Sequence, residues 1–171
     1  VWGRSAFESH SGIAVISESA LEVRKKAGKL TNLETLLGSD PMPESTTGIG
    51  HTRWATHGAP TEANAHPHAA ARVAVVHNGI IENFRDLRVE MSARGHEFRT
   101  QTDTETIVHL CEDFMARGLS PVDAAAATLA KLRGAFALCF LFAGHEDLMV
   151  AARRGSPLAI GYGDGEMFVG S

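Results

Sequence analysis

Short apolar runs separated by turn residues dominate the first half of the chain, a pattern typical of β-strands. Gly28 predicts a turn after the second run, and the Pro pair within Ser39–Thr47 predicts a loop. Strands are predicted over Ser11–Ser17, Leu21–Lys29, Gly48–Ala55 and Val73–His77, the last of which ends at Asn78-Gly79.

Three segments with helical periodicity follow. Ile81–Arg94 repeats apolar residues every three or four positions and ends before a glycine. The next helix opens at Thr102 in a Thr-x-x-Glu capping box and ends before Gly118. The third opens with Ser120-Pro121 and ends at Gly134.

The last part of the chain again predicts strands, most of them short and joined by tight turns. This favours antiparallel sheets with helices packed outside, hence an α+β fold. The length of 171 residues fits one domain. The strands are predicted over Ala135–Phe142, Asp147–Ala152, Pro157–Tyr162 and Glu166–Gly170.

Composition narrows the function classes. Apolar residues make up 44% and charged residues 21%, and the formal net charge of −4 argues against binding to nucleic acid or an anionic membrane. The longest apolar run, Ala135–Ala143, is too short to span a bilayer, and residues 1–10 hold no apolar signal-peptide core. The two cysteines lie in apolar patterns and predict no disulfide framework. We therefore expect a cytoplasmic protein.

Histidines concentrate in one stretch that also holds Arg53, Trp54 and Asn78. A solvated, loop-rich region would explain any single one of them, whereas the whole set on strand ends and loops indicates a site. Five of the nine histidines belong to it: His51, His57, His66, His68 and His77.

Arg53 has two interpretations. It either lies over an aromatic face at the surface or, in a pocket, holds a carboxylate through two hydrogen bonds. In the second case Thr56 and His57 would add contacts, and the Gly-Ala-Pro at 58–60 would let the segment bend as a lid.

Asn78-Gly79 is a strong signal for a hairpin turn. The residues that follow run into a helical pattern rather than a second strand, which weakens that interpretation. A side-chain amide and a glycine N–H at a strand end are the donors that an oxyanion hole uses.

Asp103 has two interpretations. It caps the second helix or, because Thr102 already fits the cap, it is free to bind a cation such as an α-ammonium. A guanidinium, a carboxylate and an amide-rich strand end together describe a site for an amino acid with a side-chain amide, and glutamine fits. Two alternatives stay open. One is a non-catalytic glutamine-binding module, and the other is a metal-dependent amidohydrolase with His66, His68, His77 and Asp103 as ligands.

Five ordered motifs resemble the glutaminase domain of the glucosamine-6-phosphate synthases, also called glutamine–fructose-6-phosphate aminotransferases (isomerizing). The likeness covers residues 11–171 and implies an N-terminal-nucleophile hydrolase fold, a four-layer αββα sandwich of antiparallel sheets. It implies no metal or organic cofactor. The motifs are GIGHTRWATHG at 48–58, NAHPH at 64–68, HNGIIEN at 77–83, TDTE at 102–105 and AARRGSPL at 151–158.

The resemblance also implies how L-glutamine is held. Arg53 would bind its α-carboxylate and Asp103 its α-ammonium. A loop that closes over the substrate would contain Trp54, Thr56 and His57.

The remaining implied roles concern catalysis and the parent enzyme. Asn78 and the backbone N–H of Gly79 would stabilise the oxyanion, with His66 in a supporting role. The parent would be a homo-oligomer that passes ammonia to fructose-6-phosphate, bound by sugar isomerase domains that residues 1–171 do not contain.

The nucleophile of this family is a cysteine at residue one, whose thiol passes its proton to the chain's own α-amino group. Residue one here is Val1, so we expect a glutaminase domain truncated at both ends. Cys111 and Cys139 are better interpreted as inert core thiols.

The 171-residue polypeptide is therefore expected to release no ammonia from glutamine. A coupled ammonia assay checks this, and release by this polypeptide would contradict the expectation.

Overall fold

The computed structural model describes residues 9–54 and 61–171, without the side chains of residues 9, 53 and 54. The strands are β1 (Ser9–Ser17), β2 (Ala20–Ala27), β3 (Gly48–Trp54), β4 (His68–Ala69), β5 (Val73–Ile81), β6 (Gly134–Phe142), β7 (Met149–Arg154), β8 (Ala159–Tyr162) and β9 (Met167–Gly170). The helices are α1 (Leu30–Ser39), α2 (Phe84–Ala93), α3 (Thr104–Ala116) and α4 (Pro121–Lys131).

Within these residues the strands form three antiparallel sheets. The first has the order β2-β1-β3, the second β4-β5-β6-β7, and β8 and β9 form a separate hairpin. Helix α1 packs on the first sheet, whereas α3 packs on the second sheet and also against α2 and α4. The four layers are therefore helix, sheet, sheet and helix, the αββα arrangement of the sequence-based expectation.

The inner strands explain the continuous apolar run near residue 140. In β6, Phe140 packs with the helix layer, while its neighbours Cys139 and Leu141 pack between the two sheets against Ala14 and Ile49. Both faces of the strand are buried, so alternation of apolar and polar residues is lost. The helix-side core is the larger of the two apolar clusters and includes Val75, Met91, Ile107, Leu110, Phe136 and Phe142.

Strand β5 runs further than the sequence pattern predicts. The predicted helix over Ile81–Arg94 is wrong at its start, because β5 continues to Ile81 and α2 begins at Phe84. The extension is held by pairing with β6, in which Asn78 lies opposite Ala137 and Ile81 opposite Gly134. Asn78-Gly79 therefore lies within a strand rather than at its end.

The helix caps follow the sequence signals in part. Ser120 Oγ accepts from the Asp123 N–H at 3.2 Å, with Pro121 as the first residue of α4. Thr102 Oγ1 likewise accepts from the Glu105 N–H at 3.3 Å. The Glu105 carboxylate does not return to Thr102 as a capping box requires, but accepts from the N–H groups of Arg99 and Thr100.

Helix α1 was not predicted and has no side-chain cap at its start.

Over the part of the chain that the structure describes, every helix is too short or too polar to cross a lipid bilayer.

Glu105 holds the loop before α3 and is expected to contribute to stability in a pH-dependent way. Burial alone would raise the pKa of this carboxyl. The His109 imidazole, whose Nε2 lies 3.6 Å from Glu105 Oε1, and hydrogen bonds from the Arg99 and Thr100 N–H groups and the Thr100 hydroxyl lower the pKa from an ordinary 4.5 to about 2. Because the folded-state pKa is depressed, the stabilisation is fully present above about pH 4.5 and is lost as the pH falls towards about 2.

Glu105→Gln should therefore lower the free energy of unfolding at pH 7 by about 1–3 kcal/mol, because an NH2 group replaces an oxygen acceptor. Urea titrations at several pH values measure this, with the exposed Glu97→Gln as control. The difference between wild type and Glu105→Gln should shrink below about pH 4. A pH-independent difference would contradict this account.

Candidate active site

A cavity of about 620 Å³ lies among β3, β5, β6, the start of α3 and the β8–β9 hairpin. This volume falls within the range of roughly 300–1,000 Å³ that small-molecule sites occupy. The polar residues that line it include Thr52, His66, His77, Asn78, Asp103, Thr104 and Ser171.

Asn78 and Gly79 form one wall of the cavity, on β5. Asn78 is exposed, and its Nδ2 lies 3.5 Å from Ser171 Oγ. Gly79 has φ +132°, and a Cβ at this position would lie 2.2 Å from the Ala135 carbonyl oxygen. Only glycine therefore fits where β5 approaches β6. Packing alone thus requires glycine at position 79, whether or not its N–H takes part in catalysis.

Asp103 lies on the wall formed by the start of α3, and only 5% of its surface is exposed. Its side chain makes no helix-capping bond. Instead Oδ2 accepts from the Ile81 N–H of β5 at 2.8 Å, and Oδ1 lies 3.5 Å from Thr104 Oγ1. Of the two interpretations of Asp103, the structure therefore disfavours the cap.

The Asp103 carboxylate retains capacity for a cation. An ionised carboxylate has about four acceptor positions, of which Ile81 and Thr104 take two. Within residues 9–54 and 61–171, His77 Nδ1 lies 3.8 Å from Asp103 Oδ2, and no lysine or arginine of these residues pairs with this carboxylate. A buried carboxylate without a cationic side chain is unusual, and an ammonium ligand would satisfy it.

The histidines of the cluster are buried rather than solvated. His66, His68 and His77 are each at most 4% exposed, so the explanation by a solvated loop region is wrong for these three. The His66 ring lies 4.5 Å from that of His51 and 5.0 Å from that of His68, between ring centroids. Among the described residues, hydrogen bonds join His66 and His77 to Thr104, and His68 to Thr102.

This arrangement contradicts the metal-site alternative. His66 Nε2 and His77 Nδ1 meet at the Thr104 hydroxyl, which fills the point between them, whereas His68 Nε2 contacts the Thr102 hydroxyl instead. Across the described ranges, no group of three or more His, Cys, Asp or Glu side chains is placed to hold a metal ion.

Several predicted site residues lie partly or wholly outside the described residues. The Arg53 backbone is in β3, opposite His10, and directly follows Thr52, which lines the cavity. The side chains of Arg53 and Trp54 are not described, and Thr56 and His57 lie outside the described ranges. Their roles stay predictions.

The two cysteines are core residues. Cys111 is fully buried, and burial raises the pKa of its thiol to about 12. Cys139 lines the cavity but is only 7% exposed, and burial raises its pKa to about 11. Both shifts disfavour the reactive thiolate, so neither residue fits the role of nucleophile.

Two features of the site were missed by sequence reasoning. The cavity is also lined by Leu158 and by Val169–Ser171, from the region of the β8–β9 hairpin, and the sequence pattern predicts strands there but no contact with the site. Thr104 is the second, and its buried hydroxyl contacts three polar side chains. The Thr-Asp-Thr-Glu motif is a usable signal for this position, although its local pattern predicts only a helix cap for the threonines.

Comparison with known proteins gives the family. Residues 51–171 match the family model of the glutamine amidotransferase domain. The glutamine–fructose-6-phosphate aminotransferases (isomerizing) of Bradyrhizobium diazoefficiens and Gluconobacter oxydans are 61% and 58% identical to this chain, over 94% of it. The chain covers 26% of the length of each of these relatives. It belongs to the glutamine amidotransferase domain family.

Solved structures give the same fold. The glutamine phosphoribosylpyrophosphate amidotransferase from B. subtilis, complexed with ADP and GMP, superposes with a TM-score of 0.77 at 26% identity, over 94% of this chain and 34% of that one. A glutamine aminotransferase class-II domain protein from Silicibacter pomeroyi has a TM-score of 0.66 at 17% identity, over 94% and 78% of the two chains. The predicted N-terminal-nucleophile type of fold is thereby confirmed.

The buried thiols are expected to resist alkylation in the folded protein. With a pKa of about 11, the Cys139 thiol is ionised to thiolate in roughly one thousandth of the protein molecules at pH 8. Iodoacetamide at pH 8 should therefore label neither Cys139 nor Cys111 during a treatment that labels both in urea, as measured by mass spectrometry. Rapid labelling of folded Cys139 would show a reactive thiol in the cavity and contradict this assignment.

Proposed function

We propose that this domain binds L-glutamine in the cavity between β5 and the start of α3. Asp103 accepts hydrogen bonds from the α-ammonium, Asn78 and the Gly79 N–H take the side-chain carbonyl oxygen, and Arg53 takes the α-carboxylate. The single observation that carries the proposal is that the buried Asp103 carboxylate and the Asn78-Gly79 pair line the same cavity.

The chemistry of the two walls suits the two ends of the ligand. At the Asp103 wall, negative charge without a lysine or arginine among the described residues favours an ammonium. At the β5 wall, an amide and a glycine N–H are donors for an oxygen that gains negative charge when the amide is attacked. Glutamine bound in this way has its side-chain carbonyl carbon near Asn78.

For the parent protein we propose the activity named for the relatives. The domain would hydrolyse glutamine and supply ammonia to fructose-6-phosphate held by sugar isomerase domains. Identities of 61% and 58% over 94% of this chain support this assignment, although the match extends over only 26% of those relatives. The alternative of a non-catalytic glutamine-binding module differs from this proposal in turnover but not in glutamine binding. The binding experiment below therefore applies to both proposals.

Isothermal calorimetry with L-glutamine and with glutaramic acid, which lacks the α-amino group, tests the assignment of Asp103. Asp103→Asn should weaken glutamine binding by about 10- to 100-fold, since a charge-assisted hydrogen bond contributes about 1.5–3 kcal/mol. Glutaramic acid should bind wild type weakly, and the substitution should not weaken it further.

The matched control is Asp86→Asn, an exposed carboxylate in the first turn of α2 outside the cavity. It should bind glutamine like wild type. If Asp103→Asn weakens both ligands equally, Asp103 does not recognise the ammonium. If wild type binds no glutamine, the proposed function is wrong for this chain.

A further inference from the structure

Thr104 occupies the centre of the polar network beneath the cavity. It is the first residue of α3 and has no exposed surface. Its Oγ1 lies 3.0 Å from His77 Nδ1, 3.1 Å from His66 Nε2 and 3.5 Å from Asp103 Oδ1. One hydroxyl thus contacts side chains from three different segments of the site.

The number of protons available restricts how these contacts are made. A threonine hydroxyl donates one hydrogen bond and accepts two, and an ionised carboxylate only accepts. The contact with Asp103 is therefore satisfied only when the Thr104 proton points to Oδ1. The two imidazoles must then donate to Thr104, His77 through Nδ1–H and His66 through Nε2–H.

The surroundings of His77 support the same assignment. Its Nδ1 lies 3.8 Å from Asp103 Oδ2 as well as 3.0 Å from Thr104 Oγ1. A proton on Nδ1 places positive partial charge beside the Asp103 carboxylate, whereas a lone pair on Nδ1 would face the negatively charged carboxylate oxygen. The opposite tautomer of His77 would leave Asp103 with a repulsive neighbour.

We propose that Thr104 is a positioning residue for glutamine recognition. Its hydroxyl fixes the neutral tautomers of His77 as Nδ1–H and of His66 as Nε2–H, and it holds one oxygen of the Asp103 carboxylate while the Ile81 N–H holds the other. The carboxylate is thereby kept in one orientation on the cavity wall. The claim about binding rests on the proposed function, whereas the claim about the tautomers does not.

The tautomers are measured on the ligand-free wild-type chain. Long-range ¹H–¹⁵N spectra at pH about 7.5, one unit above the usual histidine pKa, distinguish the two neutral forms of each ring. The expected pattern is Nδ1–H for His77 and Nε2–H for His66. Finding His77 as Nε2–H overturns the proposal without any variant.

Binding is then compared in Thr104→Val, which keeps the shape but lacks the hydroxyl, and Thr104→Ser, which keeps the hydroxyl. Thr104→Val should raise the glutamine Kd by about tenfold or more, since two histidines and a buried carboxylate lose a partner. Thr104→Ser should stay within about threefold of wild type, well below the effect of losing a hydrogen bond to a charged group. The ¹⁵N signals of His66 and His77 should change in Thr104→Val and be restored in Thr104→Ser.

Thr106→Val is the matched control on the same helix. Thr106 is also fully buried, and its Oγ1 has no hydrogen-bond partner among the residues described here. This variant should leave both the glutamine Kd and the histidine signals unchanged.

Three outcomes separate the claims. Wild-type affinity and unchanged histidine signals in Thr104→Val overturn the proposal. Equal loss of binding in Thr104→Val and Thr104→Ser shows a packing role and also overturns it. If wild type shows the expected tautomers but binds no glutamine, the proposed function and the binding claim fail, whereas the assignment of the tautomers stands.

Discussion

The hydrogen bond from the Ile81 N–H to the Asp103 carboxylate determines the geometry of this site. It connects the last residue of β5 to the start of α3, and both partners are buried. Because β5 also carries Asn78 and Gly79, this contact sets the separation between the carboxylate and the amide-rich wall. A buried carboxylate is costly unless it is hydrogen-bonded, and this backbone donor together with Thr104 meets part of that requirement. The rest is available to a ligand.

The strand that carries the site depends in turn on a glycine. Gly79 has a positive φ and lies where a side chain would collide with the Ala135 carbonyl. With glycine, β5 remains paired with β6 through Ile81. The same pairing that builds the core therefore delivers the Ile81 N–H to Asp103. On the other side, Glu105 fixes the loop before α3 through the Arg99 and Thr100 N–H groups, so both partners of the central contact are held by the fold.

Local sequence signals predict most of the fold and several of the residues that line the cavity. The apolar run in β6 and the Ser120-Pro121 helix start depend on neighbouring residues only, and they were predicted correctly. Helix α1 was missed because its start has no capping side chain. The end of β5 was misplaced because Asn-Gly is a turn signal locally, and its place in a strand is decided by pairing with residues more than fifty positions away.

The site shows the same limit. Sequence alone leaves Asp103 as either a cap or a ligand, and a long-range bond to Ile81 disfavours the cap. Thr104 belongs to the Thr-Asp-Thr-Glu motif, but its contacts could not be predicted from the sequence, because its partners His66 and His77 come from distant segments.

A structure of this chain with bound L-glutamine tests the central claim most directly. The account predicts the α-ammonium within hydrogen-bonding distance, ~3 Å, of the Asp103 carboxylate, with the side-chain carbonyl oxygen between Asn78 Nδ2 and the Gly79 N–H. Glutamine bound in the reverse orientation, or outside the cavity between β5 and α3, would contradict it.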